Sequence, residues 1–527
     1  MIPAISRSLA SKRPMKKTGI FIFFILFVWS TTVHAQTVDE LRTAIQSSSD
    51  APTKAGLYKR LGDVLVEQDN LEQAADAFSQ ALALGRNSFS PRERLQMAIY
   101  LSWADRLNES KDELQKLLTE DPKNIAARTH LARVLSWSGE LRAAVIQADL
   151  VLRESPDHKE ALLVKADALQ WQGRYLEAIP IYRAILAREN DFDARAGLSR
   201  SLLALGDRTS AIEGLRSLEP ANARQKREIA RLSEAIERET RPALDARYNY
   251  YTDSDRNRLD RYSLAGSGWL GNQRYSLDYR HTDARDRTRD NRGDDFLVSL
   301  YSRLTDRFSA GGGLGFTQLG DGGTSTFPTG NFRLDAKLFA GSAGANVTRE
   351  VLTDTAELIE NRIRMTNVGL YITQPLTDRL STYAGYRYRS FSDGNHANEL
   401  QLTTQYAIVL AAPRISIGYR FRFLDFQKQS GSGYFDPNNY IANRAFSSLY
   451  YENRYFYTYL EGYIGFETFR RNGFASDNII HGGSGSVGVT PIRNLAIEVN
   501  AEGGNFAAGS ASGFTYFIIG PRVLFKF

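Results

Sequence analysis

Hydrophobic and polar residues alternate along most of residues 242–527. From Tyr275 to Arg280, for example, Tyr, Leu and Tyr on one face alternate with Ser, Asp and Arg on the other. A period of two residues predicts β-strands with one apolar and one polar face. Charged inner faces opposite wholly apolar outer faces are what lipid requires, and a soluble β-sandwich would not carry them. We therefore predict an all-β antiparallel membrane barrel over residues 242–527.

Short turns and longer polar loops alternate between the predicted strands, which gives sixteen strands, or fourteen if one weak pair is merged. An even number is usual for single-chain bacterial barrels, and it places both ends of the barrel in the periplasm. The longer loops are predicted near residues 252–259, 283–293, 319–330, 352–361, 391–397, 427–439, 470–478 and 504–511.

Residues 36–241 follow a different pattern, rich in Ala, Leu, Glu and Arg, which favours helices. Trp103, Trp137 and Trp171 are spaced 34 residues apart. The same spacing relates Ala98, Ala132 and Ala166, Pro122 and Pro156, and Gly139 and Gly173. A fixed period of this length indicates a stack of repeated helical units.

This pattern resembles the tetratricopeptide repeat, a helix pair in which small residues allow close approach and proline ends the second helix. The resemblance covers nearly all of residues 55–220 and gives about five repeats, the fifth degenerate, in a domain of residues 36–220. It implies an all-α solenoid whose concave groove binds partners and does no chemistry. Residues 221–241 are predicted to form a helical linker to the barrel.

The three tryptophans have two interpretations. The thirteenth position of such repeats often borders the concave groove, where Trp103, Trp137 and Trp171 would stack on sugar rings or on a partner's side chains. Alternatively, each indole packs against the adjoining repeat, because large aromatic side chains commonly serve cores. The sequence favours the second interpretation slightly and leaves both open.

Composition excludes several classes of protein. The 527 residues contain no cysteine, so disulfide scaffolds, thiolate zinc sites, iron–sulfur clusters and cysteine nucleophiles are ruled out. The 66 Lys and Arg against 60 Asp and Glu leave a net charge of +6, too small and too dispersed for a nucleic-acid-binding protein. We expect no cofactor and no metal site.

The N-terminus has the pattern of a secretory signal peptide, predicted over residues 1–35. Lys16 and Lys17 precede the apolar run Ile20–Trp29, and a polar stretch then leads to a small residue, Ala35. The run has 10 residues, whereas a spanning helix needs about 20. Met15 is an alternative start. The mature chain is therefore expected to leave the cytoplasm, with its repeats in the periplasm and its barrel in the outer membrane.

The last predicted strand ends in aromatic residues. Phe525 and Phe527 alternate on one face at the end of the chain. A terminal phenylalanine on such a strand resembles the signal read by the machinery that assembles outer-membrane barrels, and the simpler interpretation is an apolar last strand. We favour the assembly signal because the other strands share the pattern.

The polar faces of the barrel carry an arginine-rich group. The predicted lumen-facing arginines are Arg387, Arg389, Arg414, Arg420 and Arg422. Such a field favours anionic or hydroxyl-rich solutes. Alternatively, these arginines pair with acidic residues, the candidates being Asp278, Asp335, Glu461 and Glu498, in ladders that stiffen the wall. The sequence does not separate the two interpretations.

Tyr455, Tyr457 and Tyr459 also alternate onto one face, followed by Glu461. If this face is inward, the rings form a surface along which sugar rings slide; if it is outward, they belong to the aromatic girdle at the membrane interface. The shared parity with Glu461 favours the inward orientation.

The order of signal peptide, repeats and barrel resembles the outer-membrane exopolysaccharide exporters of Gram-negative biofilms: the cellulose synthase outer-membrane subunit, the poly-N-acetylglucosamine porin and the Pel exporter. It is also similar to the smaller YaiO-type barrels. The segment from Gly433 to Tyr440 is similar to the Gly-Tyr-Phe-x-Pro-x-x-Tyr segment of cellulose exporters, although Asp-Pro-Asn-Asn is also an ordinary turn sequence.

The resemblance implies a porin-like exporter. Its repeats would hold the exopolysaccharide chain or periplasmic and inner-membrane synthase proteins, and its barrel would contact outer-membrane lipid and the barrel-assembly machinery. About five repeats are fewer than the cellulose exporters carry, so the identity of the polymer stays open.

Two other classes compete with the exporter. A receptor or adhesion barrel with a scaffolding repeat domain would be favoured by long ordered plugs in the loops. A barrel enzyme would need a histidine beside a serine or carboxylate at the membrane edge. Only His281, His396 and His481 are available, at the ends of different strands, and none has a neighbouring Ser or Asp pattern that rises above chance, so we expect no enzyme.

Overall fold

The computed structural model describes residues 37–320, 323–338, 340–410, 412–506 and 515–527. The predicted signal peptide lies outside these residues. Two compact units are present. The first comprises the described residues up to Ala204 together with Glu213–Leu232, and the second comprises Leu205–Ile212 with Ser233–Phe527. Among the described residues, no helix is both long enough and apolar enough to span a membrane.

Twelve helices precede the first strand in the described part of the chain, and they stand where the repeats are predicted. They are α1 Val38–Ser47, α2 Ala51–Glu67, α3 Leu71–Gly85, α4 Pro91–Trp103, α5 Leu107–Glu120, α6 Ile125–Trp137, α7 Leu141–Glu154, α8 Lys159–Trp171, α9 Tyr175–Leu186, α10 Phe192–Ala204, α11 Arg208–Arg216 and α12 Ala223–Thr240, with a 3₁₀ turn at Arg86–Ser88. Neighbouring helices pack as pairs from α2/α3 to α8/α9.

The small residues of the repeat pattern explain this packing. Ala98, Ala132 and Ala166 are fully buried between helices. Gly139 and Gly173 follow α6 and α8 with φ of +84° and +77°, a conformation that ends a helix and that glycine adopts without strain. The 34-residue period therefore reflects one helix–turn–helix unit repeated along the first unit.

His130, on α6, is a buried polar residue in this core. Its Nε2 lies 3.0 Å from the Ser102 hydroxyl of the preceding repeat, and its ring meets the Trp137 indole edge-on at 6.5 Å. Burial and, to a lesser degree, the nearby Arg133 guanidinium lower the pKa of His130 to about 4. The imidazole is therefore neutral in the folded repeats at neutral pH.

This pKa predicts that the repeats lose stability as the pH falls. Between pH 6.5 and pH 4 the unfolded chain binds a proton on His130 and the folded chain does not. The contribution of His130 to the free energy of unfolding should drop by about 2 kcal/mol at pH 5 and by about 3 kcal/mol below pH 4. Thermal loss of the helical circular-dichroism signal of the full chain, measured at pH 7 and pH 5, tests this. An unchanged pH dependence in His130→Asn would contradict it.

The second unit contains a closed antiparallel barrel of sixteen strands, in which each described strand pairs with its neighbours in sequence and β16 pairs with β1. The strands are β1 Ala243–Asp253, β2 Arg258–Leu270, β3 Gln273–Arg285, β4 Asp290–Arg303, β5 Phe308–Gly320, β6 Thr324–Leu338, β7 Gly341–Val351, β8 Arg364–Pro375, β9 Leu380–Phe391, β10 His396–Val409, β11 Arg414–Phe426, β12 Asn438–Glu452, β13 Phe456–Arg471, β14 Phe474–Ile492, β15 Leu495–Gly504 and β16 Tyr516–Lys526.

The outer face of the barrel is apolar, as predicted. Leu277, Val298 and Leu314 form one row across β3, β4 and β5, and their exposed fractions are 61%, 60% and 82%. Leucine and valine exposed in a continuous row are unfavourable in water and favourable against lipid. The residues that alternate with them, such as Asp278, point into the lumen.

Several predicted loops are shorter than the sequence pattern suggests. The loop predicted near 470–478 is a two-residue hairpin at Asn472 and Gly473, both with positive φ. This geometry matches the right-handed twist of paired strands. Residues 470–478 include Arg470, Arg471, Ser476, Asp477 and Asn478, a polar composition typical of a loop, although they are paired between β13 and β14 apart from the two turn residues.

Candidate functional site in the barrel lumen

At the end of the barrel opposite both of its termini, one loop folds inward and packs against the wall. We call residues 352–363, between β7 and β8, the plug loop; it contains a short helix, α13 Ala356–Glu360. The Thr355 hydroxyl accepts a hydrogen bond from the Leu358 backbone N–H at 3.1 Å and so begins this helix. Leu358 and Ile359 are fully buried, which a solvent-exposed surface loop would not achieve.

The two faces of the plug loop pack on two apolar clusters within the barrel. Leu352, Leu358 and Ile363 belong to one cluster, which also contains inward-facing side chains of β9 to β14 and β16. Ala356 and Ile359 belong to the other, with side chains of β2, β3, β5 and β7. The plug loop therefore joins opposite walls of the lumen through buried apolar contacts.

Polar contacts tie the plug loop to the wall. The Arg261 Nη2 of β2 lies 3.1 Å from the Asp354 carboxylate. Arg289 Nε, in the turn between β3 and β4, lies 2.5 Å from the Glu360 carboxylate. Asn291 donates from Nδ2 to the Ala356 carbonyl at 2.9 Å. These contacts fix the orientation of α13.

A second loop, residues 427–437, also folds inward, and we call it the tyrosine loop. The Tyr434 ring stacks on Phe391 with ring centres 4.5 Å apart. Its hydroxyl donates to the Asp393 carboxylate at 2.7 Å and accepts from Asn395 Nδ2 at 3.0 Å. Burial raises the pKa of Tyr434, so this phenol stays a neutral donor.

The segment from Gly433 to Tyr440 is therefore more than a surface turn. Tyr434, Phe435, Asp436 and Tyr440 are all buried. Asp436 accepts from the Ser430 backbone N–H at 2.6 Å, which closes the loop on itself. Within Asp-Pro-Asn-Asn, Asp436 and Pro437 are buried, whereas Asn439 is exposed with φ of +50°, so only the first half of this turn packs inward.

Below the two loops lies a polar cavity of about 390 Å³. Three of the predicted arginines, Arg387, Arg389 and Arg422, line it and converge on Glu399 of β10. Glu399 lies 3.4 Å from Arg387 Nη1 and 2.7 Å from Arg422 Nε, and Arg389 also contacts it. We call these four residues the arginine cradle.

Glu399 was not among the predicted acidic partners. It shares the inward parity of Gln401, the next inward residue of β10, and Gln401 Nε2 donates to it at 2.9 Å. Pairing in the sheet sets Glu399 opposite Arg387 of β9. The alternation of β10 would have placed Glu399 in the lumen, but only the register between strands brings the three arginines to it.

The other two predicted arginines, Arg414 and Arg420, lie nearer the end of the barrel at which β11 begins. Arg420 Nη1 lies 3.1 Å from Glu461, so this arginine is paired with one of the four predicted acids. The Arg414 guanidinium lies 5.7 Å from the centre of the Tyr450 ring. Of the other predicted acids, Asp335 contacts Arg333, a different arginine.

Tyr457 and Tyr459 point into the lumen, as their parity with Glu461 indicates. Tyr457 donates to Glu498 at 2.7 Å and Tyr459 donates to Glu461 at 2.7 Å. With Arg420 beside Glu461, they form a row of hydroxyl, carboxylate and guanidinium groups along β11 to β15.

Tyr455 does not share this position. It precedes β13 in a turn, and its side chain is 62% exposed. The Asn453 side-chain oxygen accepts hydrogen bonds from the Tyr455 and Phe456 backbone N–H groups at 2.8 and 2.9 Å. This turn holds Tyr455 outside the strand, so alternation does not fix its direction.

Outside the lumen, the tryptophans stand at the ends of α4, α6 and α8. Trp103 and Trp171 are each 43% exposed, and Trp137 is half-buried against His130. Trp103 meets the Tyr100 ring edge-on at 5.4 Å. Neither Trp103 nor Trp171 is fully buried, so part of each side chain is open to solvent.

At the end of the chain, Phe525 pairs with Leu244 of β1 and Leu495 of β15. The Phe527 backbone N–H donates to the Pro242 carbonyl at 2.9 Å, so the terminal residue adjoins the first strand. The Phe527 ring lies 5.0 Å from that of Phe525.

One histidine, His281 of β3, lies between two carboxylates. His281 Nδ1 lies 2.8 Å from Asp294 on the adjoining strand, and Nε2 lies 3.3 Å from Asp283. Asp283 lies two residues from His281 along β3, whereas Asp294 is brought beside His281 by the register between β3 and β4.

Comparison with known proteins gives similar folds at low identity. No family model matches the chain, and no curated protein matches it. A structure titled "Bacterial polysaccharide outer membrane secretin" is 10% identical, covers 54% of this chain and 98% of its own, and gives a TM-score of 0.43.

A tetratricopeptide repeat protein from Parabacteroides merdae is 17% identical, covers 38% of this chain and 78% of its own, and gives a TM-score of 0.33. CdiB from Acinetobacter baumannii is 11% identical, covers 55% of this chain and 60% of its own, and gives a TM-score of 0.35. The predicted fold class, a helical repeat region followed by a sixteen-stranded barrel, is confirmed in the described residues.

Proposed function

We propose that this protein is an outer-membrane export-type porin that passes an exopolysaccharide from the periplasm to the cell surface. The observation that carries the proposal is the barrel itself: sixteen strands, an apolar outer face and an inner face of arginine, carboxylate and tyrosine side chains. A barrel of this size encloses a lumen wider than its own side chains fill.

The inner face suits a hydroxyl-rich polymer. Tyr457 and Tyr459 offer ring faces to sugar rings, and Arg414, Arg420 and Glu461 offer hydrogen-bonding partners for hydroxyl groups. Many such weak contacts in a row hold a chain without trapping it, which is what passage requires.

The rest of the chain would serve this passage. Residues 1–35 direct export, the repeats lie in the periplasm, and the exposed rings of Trp103 and Trp171, with Trp137 between them, contact the polymer or a synthase partner. Phe525 and Phe527 would form the signal for barrel assembly. The interaction partners are the polysaccharide, periplasmic or inner-membrane synthase proteins and outer-membrane lipid.

A receptor or adhesion barrel is a second candidate because the plug loop is an ordered plug. Buried apolar contacts on both faces of α13 give a closed barrel, which a receptor needs permanently and an exporter needs only at rest. The two functions differ in whether the lumen conducts sugar chains once the plug loop is removed.

Efflux of sugar from proteoliposomes separates the two. The plugless variant, in which a Gly-Ser-Gly linker replaces Thr353–Arg362, should release entrapped fluorescent oligosaccharides of six sugar units at least roughly tenfold faster than the intact chain. Release of a small dye but not of the hexamers by the plugless variant would favour the receptor. Vesicles carrying the intact chain are the control for leakage.

A further inference from the structure

Three guanidinium groups share one buried carboxylate in the arginine cradle, and together they line the cavity below the plug loop. We propose that this cavity is an anion-binding subsite, which takes the carboxylate or phosphate group of one acidic sugar residue of the polymer. The proposal rests on the proposed function and adds to it the charge class of the polymer.

The cradle has more donors than its own acceptor can use. The Glu399 side chain is 1% exposed, and both of its oxygens already accept hydrogen bonds, one from Arg422 and Gln401 and the other from Arg387 and Arg389. Each guanidinium carries five N–H donors. Three positive charges against one negative charge give the cradle itself a net positive charge and spare donors, while Arg280, Glu350 and Asp354 line the rest of the cavity.

Arg387 is the member best placed to meet a ligand. Its side chain is 40% exposed, and its contact with Glu399 is the longest given for the cradle, at 3.4 Å. A planar guanidinium binds carboxylate and phosphate groups with two parallel hydrogen bonds. Glu399 holds the three guanidinium groups together against their mutual repulsion and so keeps this surface in place.

The cavity also carries a group that fits a sugar hydroxyl. The side-chain oxygen of Asn367, on its wall, is buried and has no hydrogen-bond partner within the described part of the chain. A buried acceptor without a donor is costly, and a hydroxyl group of a bound sugar would satisfy it. The volume of about 390 Å³ falls in the range of small-ligand sites, which are about 300–1,000 Å³.

Binding in this cavity would also act on the plug loop. Asp354 of the plug loop and Glu350 of β7 lie on the same cavity wall, and Asp354 is held by Arg261. An anion seated on the cradle repels the Asp354 carboxylate of the plug loop in a partly enclosed site where charges are weakly screened. Occupancy of the subsite should therefore favour displacement of the plug loop.

The test uses hexagalacturonate as the acidic probe and maltohexaose as the neutral one. Calorimetric binding to the full chain in detergent should detect hexagalacturonate at a concentration at least tenfold lower than maltohexaose. Arg387→Gln/Arg422→Gln should weaken hexagalacturonate binding at least tenfold. Arg333→Gln removes a lumen arginine that pairs with Asp335, outside the cradle, and should change binding less than twofold.

Equal binding of both sugars, or equal losses in the two arginine variants, would overturn the subsite. Heat-modified mobility of each variant on gels checks that its barrel is folded. The binding measurement does not depend on conduction. If the plugless variant fails to release hexamers while hexagalacturonate still binds, the exporter is rejected and the subsite is kept. If the variant releases hexamers but hexagalacturonate does not bind selectively, the subsite is rejected and the exporter is kept.

Discussion

Removing the plug loop is expected to turn a closed barrel into a conducting one. The plugless variant loses the α13 contacts with both apolar clusters, which are the contacts that join opposite walls of the lumen. In planar bilayers its single-channel conductance should exceed that of the intact chain by roughly tenfold or more, because an open sixteen-stranded barrel encloses an aqueous channel.

A matched variant separates the apolar contacts from the ionic ones. Glu357→Gln/Glu360→Gln keeps α13 and its buried residues but removes the ion pair with Arg289. Partly exposed ion pairs contribute about 0–1 kcal/mol, so this variant should remain closed for most of a recording. A fully open channel in the double glutamine variant, or a silent plugless one, would contradict closure by apolar packing.

Tyr434→Ala is expected to have the second largest effect. It removes a ring that is 1% exposed and stacked on Phe391, together with the hydrogen bonds to Asp393 and Asn395. Deleting a buried aromatic side chain costs about 3–5 kcal/mol. The tyrosine loop should lose its inward packing, so proteolytic cleavage within residues 427–437 should accelerate and the intact chain should show brief channel openings.

Tyr434→Phe is the control for that substitution. It keeps the ring contacts with Phe391 and removes the donor to the Asp393 carboxylate, a charged hydrogen bond of about 1.5–3 kcal/mol. Despite burial, the hydrogen bonds from Tyr434 and Ser432 lower the pKa of Asp393, so its carboxylate is charged at neutral pH. Cleavage in Tyr434→Phe should lie between the wild-type and alanine rates; equal rates in all three proteins would show that Tyr434 does not hold the loop.

The sequence could predict which side chains point into the lumen, because the alternation of faces is a local property of each strand. In a paired strand successive side chains point to opposite faces, so Arg420 and Tyr457 could be assigned to the lumen from the apolar residues beside them. Tyr455 shows the limit of this argument. Asn453, two residues earlier, accepts a hydrogen bond from Tyr455 and holds it in the turn before the strand. Outside a strand, an odd or even position does not indicate the face to which a side chain points.

Contacts between strands could not be predicted in the same way. Glu399 lies in the arginine cradle, and Asp294 lies beside His281, because of register with a neighbouring strand. A one-residue slip would reverse the face of every side chain in a strand, and the sequence of a single strand does not record its partner's register.

The amino-acid sequence by itself determined the two-part fold, since the 34-residue period and the two-residue alternation are repeated often enough to be independent of any one contact. It did not determine how loops fold into the lumen of the barrel. The plug loop and the tyrosine loop have no periodicity, and the burial of Leu358 and Tyr434 follows only from the walls that surround them. Repeated local patterns specify the elements, whereas the lumen site depends on contacts among strands and loops that only tertiary structure brings together.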